Sequence, residues 1–395
     1  MPWSLVVGQN SIVEALGRAV AAGRLPQAYL FHGPDGSGKR AAAIALAQAL
    51  QCDVRGREGH PAEAPCGECN ACSRVARLVH PDVRVHMPTP KDVPEEDVSD
   101  RLRLLGQDPY AEIDYRRRVS LGDPEKKTAK QSAYRVDYLR NLRSELAYVP
   151  VEGRYNVAIL TDADAMNPQA ANAFLKALEE PSLRTLIILT SSRPQRLLPT
   201  IISRCQRQRF DALPARDIEA ALIARGAADG DRAALVARMA DGSLTQAVQL
   251  LGNETLAETR EAAVRYIRAS YAYAQDAEGL AKEVAIQAGY GRERLKNSFA
   301  LMIGWVRDLV LAREGLDDSL VNIDQVEPIR KFVTKLPEAR LENMADLLQE
   351  ATGLVERNVH TELLLYALAG ALAESMRGID RRRLYVPLAD IATAA

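Results

Sequence analysis

The chain has 395 residues, of which 47% are hydrophobic and 26% are charged, and its formal net charge is −1. This length predicts two or three domains, and the balanced composition excludes a disordered chain and a polycation that wraps nucleic acid. Aromatic residues make up only 5% of the chain, which disfavours a single-strand platform built by base stacking. There is no stretch of about 20 uninterrupted apolar residues and no signal-peptide pattern, so we expect a cytoplasmic protein.

The first 52 residues predict a helix, a strand, a glycine-rich turn and a second helix. Residues 11–25 have apolar side chains at helical spacing, and residues 27–33 (QAYLFHG) have the pattern of a short buried strand. Residues 39–52 (KRAAAIALAQALQC) are rich in strong helix formers. The glycine-rich turn therefore lies between a strand and a helix, which is the context of a phosphate-binding loop.

The turn itself, HGPDGSGKR, nearly fits the nucleotide-binding pattern G-x-x-x-x-G-K-[ST]. Gly33, Gly36 and Gly38 allow successive backbone N–H groups to face phosphate oxygens. Lys39 is placed to pair with the β and γ phosphates, but Arg40 replaces the hydroxyl that normally binds Mg²⁺ and has no lone pair for a metal. We expect these five residues to bind a nucleotide, with Arg40 either contacting a phosphate or pointing into solvent. The spacing and context disfavour the alternative of a chance glycine turn.

A cluster of cysteines follows at the spacing C-x13-C-x2-C-x2-C, formed by Cys52, Cys66, Cys69 and Cys72. Two residues between cysteines let neighbouring thiolates share one tetrahedral ion, so the set predicts a closed structural Zn²⁺ site. An iron–sulfur cluster also uses four cysteines, and His60 and His80 are alternative ligands. The fifth cysteine, Cys205, lies apart and is interpreted as an ordinary small apolar residue.

The next two segments differ in composition. Residues 87–133 are rich in proline and charge, which predicts an exposed, partly mobile insertion with some helix. Residues 134–150 (YRVDYLRNLRSELAYVP) predict a helix that ends by Pro150. Arg140 and Arg143 are three residues apart on this helix, hence on one face, where they would contact DNA phosphates. A solvated helix face is an equally good interpretation.

Residues 155–164 (YNVAILTDAD) predict a buried strand with acidic residues at its exit. Asp162 stands where an ATPase of this type places an aspartate for Mg²⁺. Ala163 occupies the position of the glutamate that would orient the attacking water. Asp164 would face the opposite side of an extended strand and is a poor substitute. This strand therefore predicts a vestigial metal site.

The rest of the chain gives one more strand and then only helices. Residues 168–180 predict a helix stopped by Pro181, and residues 185–192 (TLIILTSS) predict a third strand. Strands that alternate with helices predict a parallel α/β sheet. From about Leu213 the pattern is helical, with three short helices over 215–225, 231–240 and 243–251, and further helices to residue 395.

Several stretches together resemble the AAA+ clamp-loader subunits of bacterial DNA polymerase III. These are residues 8–39, the cysteine cluster, residues 80–82 (HPD), residues 167–181 (NPQAANAFLKALEEP) and residues 197–210 (LLPTIISRCQRQRF). The match is good over residues 5–250 and fainter in the tail. The resemblance implies a five-subunit ring that opens a sliding clamp and loads it on primed DNA.

The resemblance also implies a domain organisation, of class α/β plus all-α. A RecA-like nucleotide-binding domain with a parallel sheet spans residues 1–211, with a zinc module at 52–80 and the charged insertion at 87–133. A three-helix lid spans residues 212–253, and a helical collar spans residues 254–395.

One residue matches the arginine finger of this family. Arg204 would project into a neighbouring subunit's nucleotide site, whereas without the family context a local salt bridge is the better interpretation. Three positions needed for hydrolysis depart from the motor subunit: Arg40, Ala163, and Thr245, which stands where the lid arginine is expected. These losses favour a subunit that can hold a nucleotide, ATP or ADP, but hydrolyses it weakly or not at all. The alternatives are a motor subunit of the same ring and a stand-alone nucleic-acid ATPase such as a helicase loader.

Overall fold

A computed structural model describes residues 2–115, 118, 120–121, 132–180, 182–252, 255–357 and 359–385. The chain divides into two compact units, Met1–Leu251 and Gly252–Ala395. Within the described ranges, every helix is too short or too polar to cross a membrane.

The first unit is built on a parallel sheet. Its described strands are β1 (Ala28–His32), β2 (Val83–His86), β3 (Asn156–Leu160), β4 (Thr185–Ser191) and β5 (Gln206–Arg209). They lie in the order β2-β3-β4-β1-β5, and all neighbours are parallel. The parallel α/β sheet predicted from sequence is therefore confirmed, but the two edge strands, β2 and β5, were not predicted.

Helices cover both faces of this sheet and continue beyond it. They are α1 (Asn10–Ala21), α2 (Lys39–Gln51), α3 (Asn70–Ala76), α4 (Glu95–Gln107), α5 (Val136–Leu146), α6 (Pro168–Glu179), α7 (Pro199–Ile202), α8 (Ala215–Ala224), α9 (Gly230–Met239) and α10 (Leu244–Gly252). The predicted helix ending near Pro150 stops earlier, at Leu146. The predicted stop of α6 at Pro181 lies outside the described residues.

The side chains of the three central strands alternate between two cores, as the pleat requires. One core packs the strands against α2 and includes Phe31, Ile159 and Ile188. The other packs them against α5 and α6 and includes Leu30 and Leu189, which lie opposite each other in the sheet. Because helices cover both faces of the sheet, these strands appear in the sequence as continuous apolar runs. The arrangement brings the carboxyl ends of β1, β3 and β4 together at one edge of the sheet, where open α/β sheets bind ligands.

The second unit contains only helices in its described part. They are α11 (Leu256–Ala272), α12 (Ala277–Ala288), α13 (Arg292–Arg313), α14 (Val326–Lys335), α15 (Leu341–Glu356) and α16 (Thr361–Met376), with two 3-10 turns before α14. They pack around one apolar core that includes Phe299, Trp305 and Leu368. The helical pattern predicted for this region is borne out as far as Met376, whereas the described residues 377–385 form no helix.

The segment predicted as an exposed insertion is in part a packed structure. Its helix α4 buries Leu105, and the chain after it buries Tyr110, Ile113 and Tyr115, each 3% exposed or less. The predicted helical content is correct, but the expected exposure is wrong here. Apolar residues that are sparse in the sequence converge on the main core. Residues 116, 117, 119 and 122–131 of the insertion lie outside the described residues.

Asp82 of the HPD motif fixes the loop that precedes β3. Its buried carboxylate accepts the N–H groups of Val151, Glu152 and Gly153 at 2.5, 3.0 and 2.6 Å. Burial alone would raise the pKa of Asp82, but these three donors outweigh it and hold the pKa below its ordinary value.

We expect Asp82→Asn to destabilise the first unit by about 2 kcal/mol at pH 7, since an amide is a weaker acceptor and turns an N–H towards the loop amides. The folded pKa is depressed, so the carboxylate's contribution is complete above the unfolded pKa of about 3.9 and is lost as the pH falls through the folded value. Urea unfolding of wild type and variant, at pH 7 and at lower pH, measures the difference in their free energies of unfolding. A difference between wild type and variant that grows on acidification would contradict it.

Candidate nucleotide and metal sites

The glycine-rich turn follows β1 and has the backbone form that only glycine adopts easily. Gly33, Gly36 and Gly38 have φ values of +145°, +71° and +98°. A Cβ atom on Gly33 would lie 1.9 Å from the carbonyl oxygen of Phe210, so the sheet itself requires a glycine there. Gly38 caps α2, whose amino end therefore points at the turn. The loop thus has the strand–turn–helix geometry of a phosphate-binding site.

Lys39 lies inside the turn and is only 7% exposed. Its Nζ donates hydrogen bonds to the carbonyl oxygen of Gly33, at 2.7 Å, and to that of Pro34. The cavity beside the loop has a volume of about 30 Å³, enough for about two or three water molecules. Small-molecule sites usually offer about 300–1,000 Å³. In this conformation the loop and its neighbours fill most of the space that a nucleotide needs.

Arg40 adopts neither of the orientations expected from sequence. Its Nη2 donates to the carbonyl oxygen of Ala111, 2.9 Å away, in the chain that follows α4. The residue that replaced the Mg²⁺-binding hydroxyl therefore holds part of the insertion against the glycine-rich turn.

The exit of β3 places Asp162 in the wall of the same cavity. Asp162 has φ +48°, in the left-handed region, and its N–H donates to Thr190 Oγ1 at 3.3 Å. Ala163 is fully buried in the core and offers no group to a water molecule. The carboxylate of Asp164 accepts from Ser191 Oγ at 2.8 Å and pairs with Arg193 at 2.7 Å. Asp164 is thus occupied in joining the ends of β3 and β4, in agreement with the view that it is a poor substitute for the missing glutamate.

Helix α10 begins against the glycine-rich turn. The N–H of Leu244 donates to the carbonyl oxygen of Gly36 at 3.1 Å, and Ser243 Oγ caps the helix by accepting the N–H of Gln246 at 3.2 Å. Thr245 lines the cavity and is 3% exposed, and its Oγ1 has no hydrogen-bond partner among the described residues. A threonine side chain at this position is too short to act as the arginine that the resemblance leads us to expect there.

Sequence reasoning missed six residues of this site. The cavity is also lined by Asp35 of the turn, Thr190 at the exit of β4, and Pro109, Tyr110, Glu112 and Asp114 of the insertion. The polar run at the end of β4 was a usable signal for Thr190, because that strand neighbours β1 in a parallel sheet. The insertion residues carry no local motif that points to a nucleotide site.

The four cysteines of the predicted metal site converge. Their Sγ atoms lie within 4.8 Å of one another, and no other described histidine, cysteine or acidic residue joins the group. Cys66 Sγ is 3.7 Å from Cys52 Sγ and 3.9 Å from Cys72 Sγ. A tetrahedral ion with metal–sulfur bonds of about 2.3 Å separates its sulfurs by about 3.8 Å. The cluster can therefore hold a metal ion of this coordination with little movement.

Backbone N–H groups point at three of these sulfurs, and each such donor favours the thiolate form that a metal requires, although burial still raises the pKa of Cys69 and Cys72. The amides of Cys66, Cys69 and Cys72 lie 3.4, 3.3 and 3.4 Å from the Sγ atoms of Cys52, Cys66 and Cys69. Burial raises the pKa of the Cys66 thiol, but the N–H donors of Cys69 and Glu68 outweigh this and lower it to about 7.

The alternative histidine ligands lie elsewhere. His80 Nδ1 accepts the N–H of Asp82 at 3.2 Å, and its Nε2 lies 3.7 Å from Glu152. His60 is exposed and is absent from the group of converging ligand atoms. Cys205 is also outside the cluster, and burial raises its pKa to about 12, as expected for an inert packed thiol.

Arg204 follows α7 and is part of a local ion pair. Its Nη2 lies 2.6 Å from Glu179 at the end of α6, and its Nη1 donates to Thr200 O at 2.9 Å. The side chain is 35% exposed. It is not among the described residues that line the cavity beside the glycine-rich turn, which is called the P-loop cavity below. This geometry matches the local salt bridge that was the alternative interpretation. Such a partly exposed pair contributes only about 0–1 kcal/mol, so it does not prevent the guanidinium from turning to another anion.

The two arginines predicted to contact DNA are exposed on α5. Arg140 Nη1 pairs with Asp137 at 3.1 Å, one turn earlier on the same helix, and Arg143 is exposed on the same face. Arg135, just before the helix, donates to the carbonyl oxygens of Pro90 and Lys91 and so joins α5 to the insertion. Because Arg140 and Arg143 are exposed to solvent, their side chains can reach the phosphates of DNA. The same exposure fits a helix face that is only solvated.

Known proteins resemble this chain over most of its length. The DNA polymerase III subunit delta′ of Bacillus subtilis is 26% identical over 366 residues, covering 93% of this chain and 96% of that protein. The DNA polymerase III subunit gamma/tau of Mycobacterium tuberculosis is 28% identical over 395 residues, covering 93% of this chain. This chain spans about 60% of the length of that gamma/tau subunit. A solved gamma subunit-related protein from Thermotoga maritima has a TM-score of 0.40 and 17% identity, covering 92% of this chain and 99% of that one.

The first unit carries the family signature. Residues 8–214, more than half of the chain, match the family described as DNA polymerase III, delta subunit. The chain therefore belongs to this family, and its resemblance to the clamp-loader subunits of DNA polymerase III is confirmed.

Proposed function

We propose that this chain is a delta′-like subunit of the DNA polymerase III clamp loader. We call it a stator subunit, meaning a member of the ring that does not drive loading by its own ATP hydrolysis. It takes one place in a ring with other clamp-loader subunits and helps to load the sliding clamp on primed DNA. It supplies Arg204 to the nucleotide site of a neighbouring subunit and does little or no hydrolysis itself. The relatives named delta′ and gamma/tau support membership of such a complex.

The observation that carries this proposal is the hydrogen bond that Arg40 makes. A motor subunit needs a hydroxyl at this position for Mg²⁺, and here a guanidinium is committed to the carbonyl oxygen of Ala111. Ala163 and Thr245 add two further positions without the groups that hydrolysis uses. An ATP-hydrolysing motor subunit is the second candidate, and the gamma/tau relatives favour it, but it would require the chemistry that these three positions lack.

We propose that the cysteine cluster holds a structural Zn²⁺ ion. All four donors are sulfurs with tetrahedral separations, which suits Zn²⁺ and leaves no open position for catalysis. When bound, the ion would supply a cross-link between the end of α2 and α3. An iron–sulfur cluster is the alternative, and metal analysis distinguishes the two.

We further propose roles for the remaining parts. Helices α8–α10, within residues 212–253, act as a lid over the glycine-rich turn of the RecA-like domain, residues 1–211. The helices of residues 254–395 form a collar that holds the ring together. Arg140 and Arg143 are the proposed contacts to DNA phosphates. Gly33, Gly36, Gly38, Lys39 and Asp162 retain the groups that would surround a nucleotide.

ATP turnover by the purified chain alone tests the stator function. We expect a rate at least about 100-fold below that of a gamma/tau-type subunit assayed in parallel, because hydrolysis lacks its metal-binding hydroxyl and its water-orienting carboxylate. A matched control is Lys39→Ala, which should leave the residual rate unchanged if that rate is background. Turnover comparable to the motor subunit, abolished by Lys39→Ala, would instead establish the motor function.

A further inference from the structure

We propose that residues 108–115, here called the plug segment, close the nucleotide site of this chain from within. The plug segment follows α4, and the inference rests on the proposed function, because it explains how the site of a stator subunit is kept out of use.

The plug segment forms part of the wall of the P-loop cavity. Pro109, Tyr110, Glu112 and Asp114 line the cavity together with Lys39 and Arg40. Arg40 donates to Ala111 O, so the first turn of α2 and the plug segment are joined directly. The Tyr110 hydroxyl would lie 3.0 Å from a Cβ atom on Gly38, which places its ring over the start of the helix. A phosphate chain would have to enter where these groups lie.

One fastening of the plug segment comes from its own insertion. Arg101 of α4 is fully buried and donates to Ile113 O at 3.0 Å and to Asp97 at 3.0 Å. Its guanidinium also stacks 3.7 Å from the centre of the Tyr115 ring. A buried guanidinium with these partners orders the chain around it, because displacement would leave a charge without its hydrogen bonds.

A second fastening comes from elements at the two ends of the first unit. The N–H of Val7 donates to Tyr110 Oη at 3.0 Å. Arg225, which directly follows α8, has its guanidinium 5.1 Å from the centre of the Tyr110 ring and pairs with Asp108 at 3.2 Å. The plug segment is therefore attached to one of the helices that we propose as the lid.

Charge adds to the steric closure. The lining carries the carboxylates of Asp35, Glu112, Asp114 and Asp162 and the cations Lys39 and Arg40. Glu112 is only 6% exposed, and its Oε1 accepts the N–H of Asp114 at 3.0 Å, which holds both carboxylates in the plug segment. A nucleoside diphosphate or triphosphate brings further negative charge next to these carboxylates. The plug segment contributes two of the four carboxylates, so it works against phosphate binding both by its volume and by its charge.

The test is nucleotide binding by the full chain, measured with the fluorescent analogue mant-ADP. We expect Glu112→Gln/Asp114→Asn to bind at least about tenfold more tightly than wild type, since two carboxylates are removed from the cavity wall. The matched control is Glu96→Gln/Asp100→Asn, which removes the same charge from α4 outside the cavity lining and should bind as wild type does. Equal binding by wild type and the Glu112→Gln/Asp114→Asn variant would overturn the proposal.

A second variant and a second measurement keep the proposal testable if the first variant does not fold. If circular dichroism shows that the Glu112→Gln/Asp114→Asn variant does not fold, Arg225→Gln replaces it, because this change loosens the plug segment from a partly exposed position. It is expected to bind at least about threefold more tightly than wild type, and unchanged binding would count against the plug. Hydrogen exchange of the amides of residues 108–115 in wild type should also increase at a mant-ADP concentration that saturates binding.

The failure of this inference is distinguishable from the failure of the stator function. A wild-type chain that binds mant-ADP tightly with its plug amides still protected, yet does not hydrolyse ATP, would refute the plug and leave the stator function standing. A wild-type chain that hydrolyses ATP at a motor rate would refute the stator function itself.

Discussion

Cys72→Ser is expected to release the metal ion and to unfold the segment between α2 and β2. Cys72 is completely buried between Cys66 Sγ and the carbonyl oxygen of Gln48, so a weaker ligand there cannot be replaced from solvent. Structural zinc sites contribute apparent binding free energies of about 10–16 kcal/mol in small peptides, and that free energy is coupled to folding. Elemental analysis should give one metal ion per wild-type chain and markedly less in the variant. Amides over residues 52–80 should lose their protection from hydrogen exchange.

Cys205→Ser is the matched control for this experiment. It makes the same chemical change at a buried cysteine that lies outside the cluster. Metal content should stay at one ion per chain. A metal-free wild-type protein with four reactive thiols and a fully protected 52–80 segment would contradict the proposed zinc site. Iron in place of zinc would identify the alternative cluster.

Arg204→Ala is expected to reduce ATP-driven clamp loading by the assembled complex by about 10³-fold or more, the effect typical of an arginine finger. The same change should alter the stability of the isolated chain by no more than about 1 kcal/mol, because the pair with Glu179 is partly exposed. The loading rate separates the two interpretations. An arginine that makes only the local ion pair would leave loading close to wild type, whereas a finger affects the turnover of the neighbouring subunit within an intact ring.

Arg207→Ala is a suitable control, since Arg207 is an exposed arginine of β5 only three positions away. Its loading rate should match wild type, and size-exclusion chromatography should show intact complexes for both variants. Unchanged loading by Arg204→Ala in an intact complex would refute the finger.

The central part of the fold was accessible from sequence, whereas its edges were not. Strands β1, β3 and β4 are covered on both faces, so they appear as apolar runs that local patterns detect. Strand β5 reads Gln-Arg-Gln-Arg and is largely exposed, so no apolar pattern marks it. Strand β2 has only four residues, of which Arg84 is exposed. These edge strands are defined by pairing with neighbours that are distant in the chain.

The same distinction holds for the candidate sites. The cysteines and the glycine-rich turn are marked by short spacings, which sequence reasoning reads well. The partner of Arg40 is 71 positions away, in an insertion whose composition resembles a surface loop. Residue type alone excluded a hydroxyl role for Arg40 but did not identify Ala111 as its partner. Contacts of this kind depend on how the insertion packs, and no local pattern encodes that.

The close approach of Gly33 to Phe210 bears on how such proteins are recognised. Any larger residue at position 33 would collide with the sheet, whether or not a nucleotide ever binds. Folding alone therefore requires the first glycine of this motif, independently of any nucleotide chemistry. Lys39 has a comparable second use, since its ammonium group holds two carbonyl oxygens of the loop. A motif search on this chain therefore detects a feature that the fold requires, and the match by itself does not report ATP hydrolysis.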